Sequence, residues 1–228
     1  MKLYVNGCSF TQGNTPGVVS DHTWASNELF TEKFDEILNE AQNGGSSHRA
    51  LRMAMTHMVE HSTEDWEYII QLSEFSRTEF YIPDVKGYGG IHPLKEEALH
   101  DRIHPIVGLH SYESEFRRAR ETMLLDTDED VRWYDIALKL TALDKLALEE
   151  NKTVTIIAAG GRINPKYYDD DKTALARLTN KLLGNIKKLS FKTKTFTDIL
   201  DGDGAFKDHT GHPSTLGHKK IAEYLIAK

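Results

Sequence analysis

A single cysteine, Cys8, in 228 residues rules out an intrachain disulfide framework and fits folding in a reducing compartment. No apolar run approaches the roughly 20 residues that a membrane-spanning helix needs. The chain enters a strand-like segment at once, with no charged n-region or apolar h-region, so no secretory leader is expected and the cytoplasm is the expected location. Basic stripes are missing too. With 35 acidic against 28 basic residues and a net charge of −7, a nucleic-acid partner is not expected. The densest basic run, 187–194, reads instead as the flank of an edge strand. Internal repeats, low-complexity tracts and linkers are absent as well. What remains is 39% hydrophobic and 28% charged, which suits one domain over residues 1–228 with a sizeable core.

Hydrophobic periodicity gives an α/β alternation. Lys2–Asn6 reads as a first, central strand. Trp24–Lys33 reads as a helix through Trp24, Leu29 and Phe30. Asp35–Gln42 is ambiguous. Arg49–His61 reads as a helix with Leu51, Met55, Met58 and Val59 on one face. Trp66–Leu72 and Thr153–Ala159 are the clearest strands. Between them Trp133–Glu149 is an amphipathic helix through Ile136, Leu140, Leu143 and Ala147, fit for a right-handed crossover between parallel strands. Lys172–Leu189 reads as a further helix, Ser190–Thr195 as a basic edge strand, and Gly217–Ala227 as the closing helix. The stretch 82–130 breaks this alternation and reads as an insertion over the carboxyl end of the sheet, a candidate lid or specificity element.

The chemistry-bearing residues lie at the two ends. Tyr4 to Gly13 runs from a strand into a turn of small residues carrying Ser9, and residues 208–218 read Asp-His-Thr-Gly-His-Pro-Ser-Thr-Leu-Gly-His. A serine hydroxyl becomes a nucleophile only beside a base, so Ser9 needs exposure on a tight turn and a histidine in reach. Only a fold that returns the last loop beside the first can unite the two, and a parallel α/β sheet does so because its loops gather at the strands' carboxyl ends. Asp208, Asp203 and Asp201 are all candidates for the acidic partner. The bland alternative for Ser9 is a polar turn that caps a helix.

Gly7-Cys8-Ser9-Phe10-Thr11-Gln12-Gly13 resembles the nucleophile block of the SGNH (GDSL-type) hydrolases, with Cys8 where that family usually has Asp. Gly211-His212-Pro213-Ser214-Thr215-Leu216-Gly217-His218 resembles the family's histidine block. The Gly-Cys-Ser-Phe-Thr spelling is similar to that of poorly characterised, phage-encoded members, which would place the protein in a host cytoplasm or a virion. The resemblance implies a three-layer α/β/α sandwich with a mostly parallel, flavodoxin-like five-stranded sheet, and a short second strand in the second half of 35–42. It also implies a serine esterase, plausibly a carbohydrate O-deacetylase, acting on a small acyl ester or an acylated carbohydrate or lipid. In that reading Ser9 is the nucleophile, His212 the base and Asp208 its orienting acid, with His209 and His218 as local competitors of His212. The family places its Asp three residues before the histidine, where this chain has His209. The oxyanion donors would be the Ser9 and Gly45 N–H groups. The family's Gly-x-Asn-Asp is missing after the third strand, which leaves Ser76 or Arg77 as the third donor. The alternative is a catalytically weak or inactive SGNH-like binding or virion-structural module, with virion or homo-oligomer contacts.

No cofactor or metal is called for. His92, His100, His104 and His110 match no standard zinc spacing. The Gly87–Gly90 run lacks the Lys-Ser/Thr of a phosphate loop.

Overall fold

The computed structural model describes residues 1–13, 23–42, 45–73, 78–81, 103–106, 129–160, 165, 168, 170–202, 204–207 and 212–227. Its frame is one sheet of five parallel strands. β1 (Lys2–Asn6) has β2 (Glu36–Asn39) on one side and β3 (Trp66–Leu72) on the other; β4 (Thr78–Tyr81) and β5 (Ile103–Ile106) pair antiparallel as a separate ribbon; β6 (Thr153–Ala158) and β7 (Leu189–Phe191) complete the order β2-β1-β3-β6-β7. This is the flavodoxin-like order, in which the chain reverses direction across the sheet between β1 and β3. Ligands of such sheets bind in the crevice outside the strands' carboxyl ends at that reversal.

The central strands β1, β3 and β6 are covered on both faces, which is why they are rich in apolar residues. Tyr4 of β1 and Trp66, Tyr68, Ile70 and Leu72 of β3 pack against α3 (Ser47–Glu60) and α4 (Glu129–Glu149), through Leu51, Ala54, Met58, Ile136, Leu140 and Leu143. Leu3, Val5, Ile69 and Ile157 face the other way. They meet Phe30 of α2 (Glu28–Thr31), Phe196 and Ile199 of α6 (Phe196–Ile199), and Ile221 and Leu225 of α7 (Thr215–Ile226). The α1 turn (Ser9–Gln12) leaves the end of β1, and α5 (Ala174–Gly184) lies against α4. The result is helix, sheet and helix in three layers.

Several boundaries differ from the sequence expectation, each for a tertiary reason. The helix expected over 24–33 is only Glu28–Thr31, because Asn27 caps it through its side chain on the Leu29 N–H while Trp24 and Ala25 are buried in the preceding turn. β2 occupies the first rather than the second half of 35–42, fixed by the pairing of Lys2 with Glu36 and Val5 with Asn39. On α3 the buried stripe runs through Ala50, Leu51, Ala54, His57 and Met58, leaving Val59 60% exposed. The helix expected to reach Leu189 stops at Gly184. The buried Asp144 carboxylate takes the N–H groups of Lys187, Lys188 and Leu189 and draws the chain into β7. Thr195, expected as the end of the edge strand, instead caps α6 in a reciprocal capping box with Asp198. Of the expected insertion 82–130, only 103–106 and 129–130 are among the described residues.

Candidate active site

The first turn after β1 is short and tightly held. Cys8 enters α1 in an extended conformation without a side-chain cap, and five residues later Gly13 ends it with φ 75°, its N–H donating to the Ser9 carbonyl at 3.0 Å. Gly13 is required there: a side chain in the left-handed region is strained, and a Cβ would lie 2.1 Å from Thr23 Cγ2. This places Ser9 at the first helical position of α1, where a backbone N–H has no intrahelical acceptor.

The second element is the loop into α7. Lys207 and Pro213 form an antiparallel bridge, and the Ser214 N–H donates to the Phe206 carbonyl at 2.9 Å. Ser214 then caps α7 by accepting from the Gly217 N–H at 3.1 Å. Gly217 packs directly on the Phe206 carbonyl, where a Cβ would come within 2.1 Å of the oxygen. These contacts clamp His212, which lies just before the bridge. Its Nε2 lies 2.8 Å from Ser9 Oγ, across 203 residues of sequence. The Phe10 ring packs against the imidazole at 5.1 Å, and Phe196 stacks behind Phe10. Ser9 is buried and His212 half-buried, so the pair sits in a partly water-excluded cleft.

His218, the local competitor of His212, is buried one turn into α7. Its Nδ1 accepts the Trp24 N–H at 3.2 Å, which leaves its proton on Nε2. Burial, followed by the field of nearby His212, lowers its pKa from 6.5 to about 4. The imidazole is therefore neutral at physiological pH, and it ties α7 to the Trp24 turn.

Gly45 is held against the nucleophile turn. A Cβ there would meet the Gly7 carbonyl oxygen at 2.6 Å, and its N–H donates to the Gln42 carbonyl at 2.8 Å. Ser46 caps α3 on the Arg49 N–H. Ser73, just beyond β3, donates its hydroxyl to the Gly45 carbonyl at 2.7 Å, while its N–H and carbonyl both bond the Ser47 hydroxyl at 2.9 Å. The ends of β1, β3 and the loop before α3 thus form one hydrogen-bonded unit. Asp201 is exposed, and Ser76, Arg77, Asp203, Asp208 and His209 lie outside the described residues.

Two site-shaping residues escaped the sequence reading. Asn6, fully buried at the end of β1, accepts from the Gly7 N–H at 2.8 Å and from Arg49 Nη1 at 3.2 Å, and donates to the Tyr4 hydroxyl. Gln71, fully buried on β3, bonds the nucleophile turn. The signal was present in each case: a polar residue at a strand position where an apolar one is expected.

A hollow of about 510 Å³ runs along β2, lined by residues that include Gln12, Thr23, Phe34, Ile37 and Asn39. Neither Ser9 nor His212 lines it, so it is separate from the pair. Among the described residues there is no cluster of three or more His, Cys, Asp or Glu side chains able to hold a metal, and no helix is long and apolar enough to cross a membrane.

No protein-family model and no curated protein matches the sequence. Solved structures do match. TesA is 14% identical with a TM-score of 0.52, covering 99% of this chain and 96% of that one. A G-D-S-L family protein from Desulfitobacterium hafniense DCB-2 is 11% identical with a TM-score of 0.53, covering 99% and 97%. The psychrotrophic esterase EstA from Pseudoalteromonas sp. is 12% identical with a TM-score of 0.50, covering 98% and 93%. Over nearly its whole length, this chain aligns with these structures and shares their α/β fold.

Proposed function

We propose that the protein is a serine hydrolase of the SGNH type that cleaves a small acyl ester. The observation that carries this reading is the 2.8 Å contact of Ser9 Oγ with His212 Nε2, made by residues at opposite ends of the chain. Such a contact is within the reach required of a nucleophile and its base.

In the reaction, Ser9 Oγ attacks the acyl carbonyl while His212 Nε2 takes its proton. His212 then gives that proton to the leaving alcohol, and a water molecule, activated by the same imidazole, hydrolyses the acyl-enzyme. Asp208, four residues before His212, is the orienting acid. The Ser9 N–H at the start of α1 points a donor at the developing oxyanion. Gly45 supplies a second donor when its N–H turns from the Gln42 carbonyl. Ser76 or Arg77 supplies a third, and a guanidinium there would also suit an anionic ester. Substrate selection falls to the 82–130 segment, and an acetyl or other short acyl group on a carbohydrate or lipid is the chemistry expected.

The test is p-nitrophenyl acetate turnover and phosphonate labelling of wild type, Ser9→Ala and His212→Ala. The fold relative EstA is inhibited by monoethylphosphonate, which makes a phosphonate the apt probe. Wild type should turn over and gain one phosphonyl group on Ser9. Either substitution should lower kcat by at least about 1,000-fold. A folded wild type that neither turns over nor labels would overturn the proposal and favour a non-catalytic binding or virion-structural module.

A further inference from the structure

Gln71 sits on β3 with no exposed surface, its side chain on the face of the sheet that carries α1. An apolar side chain would serve the core there, since burying an amide is costly unless it is fully bonded. Gln71 is fully bonded, and its bonds go to the nucleophile turn. Its Oε1 accepts from the Cys8 N–H at 3.1 Å and from the Thr11 hydroxyl at 2.8 Å, and lies 3.4 Å from Cys8 Sγ. Its Nε2 donates to Cys8 Sγ at 3.0 Å and to the Leu72 carbonyl at 3.4 Å. Residues 8 and 11 bracket Ser9 on both sides.

Little inside the turn holds it, and from outside Asn39 Nδ2 also donates to the Thr11 carbonyl at 3.1 Å. α1 is a single helical turn of four residues whose cap residue, Cys8, makes no side-chain capping bond. A helix that short has no intrinsic stability. Its aim therefore depends on what grips it from outside. Gly7 belongs to the same device: a Cβ at that position would lie 2.6 Å from Gln71 Oε1 and 2.8 Å from Gln71 Cβ. Glycine at 7 lets the amide approach, and the amide then holds Cys8 before Ser9 and Thr11 after it.

We infer that Gln71 is a positioning residue for the nucleophile, holding the Cys8–Thr11 turn so that Ser9 Oγ stays aimed along the line to His212. This rests on the reading of Ser9 as nucleophile given above. The role is separate from stabilising the core, because the Gln71 bonds to Cys8 and Thr11 act on Ser9 through the turn that carries it.

The test compares wild type, Gln71→Met, Gln71→Glu and Thr11→Val by the rate of phosphonate labelling of Ser9, by kcat and KM for p-nitrophenyl acetate, and by thermal melting. Gln71→Met keeps the volume and removes both ends of the amide. Labelling and kcat, counted per folded protein, should fall about 100-fold with KM little changed, the loss expected of a displacement near 1 Å at the reacting centre. Gln71→Glu keeps an acceptor for the Cys8 N–H and the Thr11 hydroxyl and should restore the rate to within about tenfold of wild type. Should Gln71→Met fail to fold, Thr11→Val removes only one of the bonds and should slow labelling by about tenfold. A folded Gln71→Met, or failing that Thr11→Val, that melts lower but labels at the wild-type rate would overturn the inference and leave Gln71 a core residue. A wild type that does not label at all would overturn the hydrolase reading itself, and this inference with it.

Discussion

Replacing Gly45 by alanine separates two roles that the same glycine can play. If Gly45 only offered its backbone N–H to an oxyanion, alanine would keep that donor and change little. The packing demands more. The added Cβ would lie 2.6 Å from the Gly7 carbonyl oxygen and 2.9 Å from the Gln42 carbonyl oxygen, both backbone atoms and neither at the end of a flexible side chain. Carbon–oxygen contacts close to about 3.3 Å, so roughly 0.7 Å must be found between two chain segments. The Ser73 hydroxyl, bonded to the Gly45 carbonyl at 2.7 Å, resists movement on one side, and the Asn6 bond to the Gly7 N–H resists it on the other. Overpacking of this kind costs about 1–3 kcal/mol, or roughly 2–12 °C in melting temperature for a chain of this size. Gly7 is two residues from Ser9, so the displacement reaches the nucleophile. Phosphonate labelling of Ser9 should slow by about 10- to 100-fold. Calorimetry and timed labelling of Gly45→Ala read both effects. Wild-type melting together with a wild-type labelling rate would refute the reasoning, because the close approach to Gly7 would then be of no consequence.

Stability should fall in mild acid. His218 and His57, both buried, have their pKa lowered from 6.5 to about 4, mainly by burial. The unfolded chain therefore binds more protons between those values. Stability is full above pH 6.5, is lost as pH falls toward 4, and is level with respect to these groups below that. His218 contributes roughly 3 kcal/mol over the window, and His57, nearer to solvent, contributes less. His218→Asn keeps an acceptor for the Trp24 N–H, and in urea titrations at pH 7 and pH 4 it should lose markedly less stability than wild type. An equal loss would contradict the assignment. On the far side of the molecule, Asp144→Ala strips the acceptor from three backbone N–H groups at the start of β7. It should cost about 3–5 kcal/mol, with Asp144→Asn intermediate, and a melting shift under about 2 °C would contradict the count.

Local pattern was enough for the elements whose burial is set by one repeating face. β1, β3 and β6 lie where short apolar runs predicted strands, and α4 buries Ile136, Leu140, Leu143 and Ala147 as its period required. It failed where a distant group ends an element. Asp144 terminates the segment after α5 from 43 residues away, and pairing with β1 sets the bounds of β2. Capping by Asn27 and Thr195 was written in residue types that also occur in ordinary turns. Asn6 and Gln71 escape a strand pattern, because their partners, Arg49 and Thr11, belong to other elements.

The sequence by itself determined an α/β chain with a serine on the turn after its first strand and a histidine before its last helix. Those features depend only on neighbours within a few residues, so periodicity and turn chemistry can report them. Tertiary structure alone decided that Ser9 Oγ and His212 Nε2 stand 2.8 Å apart, and that Gly45, Ser73, Asn6 and Gln71 form the frame around the turn. Such distances are set by parallel register and by helices packed on both faces of the sheet. A shift of one residue in any strand would turn its buried side chains to the other face and dissolve the arrangement.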